Sequence, residues 1–231
     1  MIKLLSPDAR AERRLAICLT LIAGYVDAYG LLAYGTYVSF MSGNTTQTGS
    51  MTGQGMLPAA VPSALAIIAF VIGSFAGTSL VHSGLSRSRQ VLFGTIAALL
   101  AMIIAGTHRG HPVLHPDVCI ATLSLAMGAM NAALSHIGAE PVNLTFVTGT
   151  LNRTGRHLAL AVARAPLPDA QGQWDTHLRR AGLMASVWAG FLAGAVASGA
   201  ATAHFGVWVL LPPSLVLLAL AFVWVPSSGA T

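Results

Sequence analysis

The sequence predicts an all-α membrane protein, a polytopic bundle of six transmembrane helices built as two inverted three-helix repeats. Three observations carry that expectation. Charge is scarce: Asp, Glu, Lys and Arg make up only 8% of the 231 residues, against about 25% in soluble domains. Apolar residues gather into six long runs. Polar signatures in the first half of the chain recur in the second.

The composition excludes a water-soluble fold. With 55% apolar residues and a mean hydropathy of +0.71, a chain of this size has too little polar surface to cover a solvated exterior. Lipid removes that requirement. The net charge of +5 does not imply nucleic acid as a partner. The basic residues sit in short segments between apolar runs and form no continuous basic face. Cys18 and Cys119 begin two different runs and are expected at opposite membrane faces, where a disulfide is out of reach. No cleavable signal pattern precedes or follows the first run.

A span needs roughly 20 mostly apolar residues. Six segments qualify, at 15–34, 61–81, 91–106, 118–137, 181–203 and 206–225. The third is short, and Gln90 or Thr107 can extend it. The sixth carries Pro212-Pro213, which should kink or split it. In hydrocarbon every backbone polar group must be paired within the segment, so these continuous runs are helices; a β-barrel would need short alternating segments. Lys3, Arg10, Arg13, Arg14, Arg87, Arg89, Arg153, Arg156, Arg164, Arg179 and Arg180 all fall on one side of a six-span layout, and only Arg109 falls on the other. The positive-inside rule makes that side the cytoplasm and puts both termini there.

The duplication joins repeats at 13–107 and 118–226 within a single membrane domain. Gly24-Tyr25-Val26-Asp27-Ala28 is matched by Gly128-Ala129-Met130-Asn131-Ala132, so Asp27 corresponds to Asn131. Downstream, Ser42-Gly43-Asn44-Thr45-Thr46-Gln47-Thr48-Gly49 is matched by Thr148-Gly149-Thr150-Leu151-Asn152-Arg153-Thr154-Gly155. Gly73–Gly77 and Gly190–Gly194 are both G-x-x-x-G faces, which let helices approach closely in lipid. Three spans per repeat force the second repeat to enter the membrane in the opposite sense. Inverted repeats of this kind occur in many secondary transporters, with the site between the halves.

The residues Gly24-Tyr25-Val26-Asp27-Ala28 and Met41-Ser42-Gly43-Asn44-Thr45 resemble the signature of the YoaK-like family of bacterial inner-membrane proteins. The resemblance covers nearly the whole chain. The family motif maps onto Gly24, Asp27, Gly43 and Asn44, and the second copy departs from it with Thr150 in place of Asn44. That family has no assigned activity, so the resemblance implies a membrane location and no reaction.

The pathway candidates are Asp27, Asn131, Gly43, Asn44, Thr45, Thr48, Thr148, Gly149, Asn152, Thr154 and Glu140. A carboxylate at mid-span costs about 2.5–3.5 kcal/mol on insertion scales. Asp27 therefore reads either as a coupling group or as a structural partner of Asn131 across the pseudo-two-fold axis. The segment from Gly43 to Gly49 is too polar to face lipid. It reads as an unwound or re-entrant element lining a wet cavity, or as a surface loop whose side chains cap neighbouring helices. Glu140 and His136, before Pro141, mark a break in the helix and a second acid to test. His108, His111, His115 and Asp117 crowd one loop without strict ligand spacing, so no metal is expected. At 151–165, Arg153, Arg156, His157 and Arg164 fall near one helical face opposite Leu158 and Val162, as in an interfacial anchor. Trp208 and Trp224 read as interface anchors.

No phosphate loop, nucleophile elbow or zinc motif is present, so neither an enzyme nor a cofactor is expected. The function that fits is a small-solute secondary transporter or permease of the inner membrane, proton-coupled through Asp27. Its partners would be membrane lipids and an unidentified small solute. The alternatives are a non-transporting scaffold or lipid-binding protein, and an intramembrane enzyme requiring an Asp27–Glu140–His136 cluster. The G-x-x-x-G faces could also serve a homodimer.

Overall fold

A computed structural model describes residues 7–107, 114–134, 136–137, 140–141, 144–170 and 172–223; for 7–10, 136–137, 140–141 and 223 it describes the backbone alone. The helices are α1 (Pro7–Tyr34), α2 (Met41–Gly53), α3 (Leu57–Val81), α4 (Ser88–Thr107), α5 (Pro116–Asn131), α6 (Val147–Val162), α7 (His177–Phe205) and α8 (Leu211–Val223). A 3-10 turn, Gly206–Leu210, joins α7 to α8. A two-residue antiparallel ladder pairs β1 (His136–Ile137) with β2 (Glu140–Pro141).

Among the described residues, four segments are long and apolar enough to cross a membrane: Ala11–Tyr34, Leu57–Val81, Ser88–Thr107 and the 46-residue run His177–Phe222. They contain four of the six predicted runs and most of a fifth, 206–225, as far as Phe222. The remaining run, expected at 118–137, is corrected by the structure. α5 has 16 residues, about 24 Å of helix, and stops at Asn131. There Ala132 and Ala133 turn the backbone by donating to Ala129 O (3.1 Å) and Met130 O (3.0 Å). The prolines of the last run do not kink a helix. The break falls earlier, at Gly206, whose φ of +53° a glycine adopts without strain. Pro212 and Pro213 then occupy the first turn of α8, where a missing N–H costs nothing.

One helix, α3, buries small residues and exposes large ones. α3 buries Ala60, Ser63, Ala66, Ala69, Gly73 and Gly77. It exposes Ile68, Val71, Ile72 and Phe75, the last at 74%. In water that inversion would forfeit roughly 25 cal/mol for every Å² left exposed. In lipid it costs little, and the small stripe gives the close backbone contact on which helix association there depends.

α1 packs along α7, and α3 packs along α5. In each pair glycines bring the two backbones together. A Cβ on Gly24 would meet the Phe191 backbone, and one on Gly194 the Leu21 backbone. Likewise a Cβ on Gly128 would meet Phe70, and one on Gly73 would meet Leu125. α4 packs along α8. The shared core runs through Leu19, Phe93, Ile96, Leu100, Leu123, Met127 and Leu217.

These crossings change one sequence correspondence. The first spans correspond as expected, Leu21 with Leu125 and Gly24 with Gly128. The second spans correspond one helical turn away from the G-x-x-x-G alignment: Gly194 occupies the place of Gly73, and Phe191 that of Phe70.

Candidate functional site

Asp27 is 5% exposed and lies two turns before the end of α1. Its Oδ1 accepts hydrogen bonds from the backbone amides of Val38 (2.9 Å) and Ser39 (2.7 Å). It thereby holds the turn that leads into α2. Asn131, at the end of α5, holds the turn before α6 in the same way. Its Oδ1 accepts from Leu144 N (3.1 Å), and its Nδ2 donates to Thr145 Oγ1 (3.0 Å). The two do not pair with each other, which removes the expected Asp27–Asn131 bond. Each serves its own copy of one local motif.

That motif is longer than the glycine and threonine pattern suggested. Val38-Ser39-Phe40-Met41-Ser42-Gly43 corresponds residue by residue to Leu144-Thr145-Phe146-Val147-Thr148-Gly149. Both copies turn at the phenylalanine, with φ −91° and ψ 75° at Phe40 and φ −90° and ψ 70° at Phe146. In both copies the phenylalanine ring then lies across the glycine three residues on, where a Cβ would collide with it. This explains Gly43 and Gly149: each leaves room for an aromatic ring. The repeated aromatic was the signal that a search limited to Gly, Thr and Asn overlooked.

The segments beginning at Gly43 and Gly149 are helices, neither unwound stretches nor loops. In α2 the hydroxyls of Thr45 and Thr46 turn back to Met41 O and Ser42 O. In α6, Thr150 and Thr154 turn back to Phe146 O and Thr150 O. Asn44 is buried and donates from Nδ2 to Tyr37 O at 2.7 Å, bracing the turn. The Thr48 hydroxyl is buried without a partner. Asn152 is exposed.

The two motifs meet at one hollow of about 230 Å³, lined by Ser39, Phe40, Met41, Ser42, Phe70, Thr145, Phe146, Val147 and Thr148. Of the expected pathway residues, Thr148 lines it directly. Gly43 and Gly149 shape it through the Phe40 and Phe146 rings, while Asp27 and Asn131 stand behind it and fix its two turns. Thr45, Asn152 and Thr154 are not among its lining residues, because their side chains belong to later turns of α2 and α6. The side chains of Glu140 and His136 lie outside the described residues. His108, His111 and Trp224 lie outside them as well. Among the described residues no group of three or more His, Cys, Asp or Glu side chains is placed to hold a metal.

α6 differs in part from the expected interfacial helix. Leu151, Leu158 and Val162 are exposed, but His157 points inward. Its Nδ1 lies 2.9 Å from His177 Nδ1 on α7. Arg164 lies beyond the end of the helix with φ +51°. In the first turn of α7, buried Arg180 meets two carboxylates of the preceding linker: Asp175 through Nε (2.9 Å) and Nη2 (2.7 Å), and Asp169 through Nη1 (2.8 Å). That guanidinium holds the Asp169 carboxyl below its ordinary range. His115 accepts from Asp117 N at 3.3 Å and so caps α5.

Residues 15–223 match the family described as protein of unknown function (DUF1275). The chain is 33% identical over 208 residues to UPF0700 transmembrane protein RA0705 of Rhizobium meliloti (strain 1021), covering 89% of this chain and 83% of that one. No solved structure matches it. The resemblance read from Gly24–Ala28 and Met41–Thr45 is borne out at the level of the family.

Proposed function

Since the chain belongs to the DUF1275 family of membrane proteins, we propose that it is a small-solute secondary transporter of the inner membrane, with its site in the hollow between α2 and α6. One observation carries this reading. Two copies of a turn-and-helix motif, one from each half of the chain, meet at a single cavity with their helix N-termini at its wall. Transporters built from inverted repeats place short helix ends at a site between the repeats. The recurrence of the Asp27 and Asn131 hydrogen bonds, and of the glycine crossings, supports a duplicated origin. With three spans per half, the second half runs opposite to the first. In this reading the basic segments, and both termini with them, face the cytoplasm, as the positive-inside rule favours. α5 is the short span, and the hollow lies near its Asn131 end.

Asp27 is the coupling group in this reading. The corresponding position in the other half, Asn131, holds its turn with an uncharged amide, through Leu144 N and the Thr145 hydroxyl, so holding the turn does not require a charge. A carboxyl at Asp27 adds a site for a proton. The test uses purified protein in liposomes that contain a pH-sensitive dye. Radiolabelled sugars, amino acids and small sulfonates are supplied under an imposed pH gradient. We expect at least one solute class to enter together with protons, and Asp27→Asn to abolish the linked proton movement while the protein still folds. Solute entry in Asp27→Asn with proton coupling unchanged would remove Asp27 from the mechanism. Failure of every class to enter would remove the transport reading.

A further inference from the structure

We propose that Phe70 and Phe191 are alternate gates of the hollow: this structure is the arrangement with Phe70 in place, and a second arrangement exchanges it for Phe191. The proposal rests on the transport reading, because it names the residues that open and close the same cavity.

The lining of the hollow is almost fully paired between the two halves of the chain. Eight of its nine residues form four corresponding pairs: Ser39 with Thr145, Phe40 with Phe146, Met41 with Val147 and Ser42 with Thr148. The ninth is Phe70, and its counterpart Phe191 does not line the hollow. The side chain does not explain the difference, since both residues are phenylalanine. The backbone at the crossings does not explain it either. An added Cβ on Gly128 would lie 2.9 Å from the carbonyl carbon of Phe70, and one on Gly24 would lie 2.8 Å from that of Phe191. Both rings are partly buried against the core.

The difference therefore lies between the long helices and the short ones. Phe70 belongs to α3, which packs on α2, and Phe191 belongs to α7, which packs on α6. The hollow is covered by a phenylalanine from the α3 side and left without one from the α7 side. The exposure of the two turn rings has the same sense. Phe40 and Phe146 share backbone angles, yet Phe146 is 54% exposed and Phe40 is half-buried. Part of that contrast is fixed in the sequence: Tyr37 lies edge-on to Phe40 at 5.1 Å, and the corresponding residue is Asn143. The contrast between Phe70 and Phe191 has no such substitution behind it.

The α1–α7 and α3–α5 crossings already match, so they stay fixed while α2 and α6 shift against them. The exchange releases Phe70 from the hollow and admits Phe191, and it builds in one half the contacts given up in the other. Packed interfaces pass between discrete arrangements of this kind rather than deforming continuously. With the halves oppositely oriented, the exchange moves the opening of the hollow from one membrane face to the other.

The test is cross-linking in membranes, with Cys18 and Cys119 replaced by alanine. One protein carries Phe70→Cys with Thr148→Cys, and a second carries the corresponding pair, Phe191→Cys with Ser42→Cys. A protease site inserted at exposed Leu85, between α3 and α4, separates the partners of either pair, so a cross-link by a short bifunctional thiol reagent is read on a denaturing gel. Each variant is scored as a single species by size exclusion. We expect both pairs to cross-link. Phe70→Leu should speed the 42/191 reaction about two- to tenfold, and Phe191→Leu the 70/148 reaction likewise, because loss of one gate's aromatic contacts favours the other arrangement. Cross-linking of 70/148 alone, with a Met41→Cys and Phe191→Cys pair also silent, or of no pair at all, would overturn the proposal. So would a 70/148 rate that Phe191→Leu leaves unchanged, a result that needs no cysteine at 191. Both pairs cross-linking in a protein that moves no solute would keep the gates and remove transport, whereas solute entry with 70/148 alone would keep transport and remove the gates.

Discussion

Alanine at the four crossing glycines should separate a backbone contact from a general preference for glycine. A Cβ added to Gly194 would lie 2.9 Å from the carbonyl carbon of Leu21, and one on Gly24 would lie 2.8 Å from that of Phe191. Carbon atoms settle at about 3.5–4.0 Å, and the carbonyl oxygens lie nearer still to the added Cβ, so α1 and α7 would have to part by roughly 1 Å or more. A gap of that size forfeits about a quarter to a half of each dispersion contact along the crossing. Overpacking of this kind typically costs about 1–3 kcal/mol, while the better helix propensity of alanine returns at most about 1 kcal/mol. Gly199 lies in the same helix with nothing within 4 Å of its added Cβ. The assay is the unfolding midpoint in detergent, with monodispersity by size exclusion. Gly194→Ala and Gly73→Ala should melt several degrees below wild type, and Gly199→Ala at or above it. A Gly194→Ala protein as stable as Gly199→Ala would refute the close α1–α7 crossing.

Other outcomes follow from the same structure. Asp27→Ala orphans the Val38 and Ser39 amides at about 1–3 kcal/mol each, whereas Asp27→Asn retains an acceptor and should melt within about 1 kcal/mol of wild type by the same reasoning; thermal unfolding compares them. Arg180→Met leaves the Asp175 carboxylate buried without its guanidinium and should cost about 3–5 kcal/mol. The pH dependence of the linker follows from Asp169. A carboxyl held low in the folded protein stabilises it above the unfolded pKa, about 3.9, and that contribution fades as pH falls through the folded value. Proteolytic nicking of the linker 163–176 should thus increase on acidification below about pH 4. Asp169→Asn should nick faster than wild type at neutral pH and converge with it in acid. The Nδ1–Nδ1 contact of His157 and His177 needs one ring to donate and the other to accept. A double-mutant cycle with glutamine at both positions should show coupling of about 0.5–1.5 kcal/mol.

What the sequence disclosed and what it hid have separate physical causes. The membrane-spanning helices were visible because apolar runs of span length have few alternatives. The correspondence of Asp27 to Asn131 was visible because a polar residue in such a run stands out. The end of α5 was not visible, since residues 132–137 are apolar enough to continue a helix. The helix stops where the Asn131 side chain meets Leu144 N and the Thr145 hydroxyl. The helical state of α2 was hidden by its composition. Thr, Ser, Asn and Gly favour turns in water, but here the hydroxyls return to carbonyls one turn back. The one-turn offset between Gly73 and Gly194 was hidden because a G-x-x-x-G pattern records that two helices approach, not which glycine meets which carbonyl.

A transport site requires the hollow between α2 and α6 to open to both sides of the membrane in turn. The direct measurement places a single cysteine at Ser42 or Thr148, with Cys18 and Cys119 replaced by alanine. Reaction with a membrane-impermeant thiol reagent is then followed in right-side-out and inside-out vesicles. Both positions should react from both sides, and a condition that slows labelling from one side should speed it from the other. Labelling confined to one side under every condition, or absent from both, would contradict a transport site at this cavity.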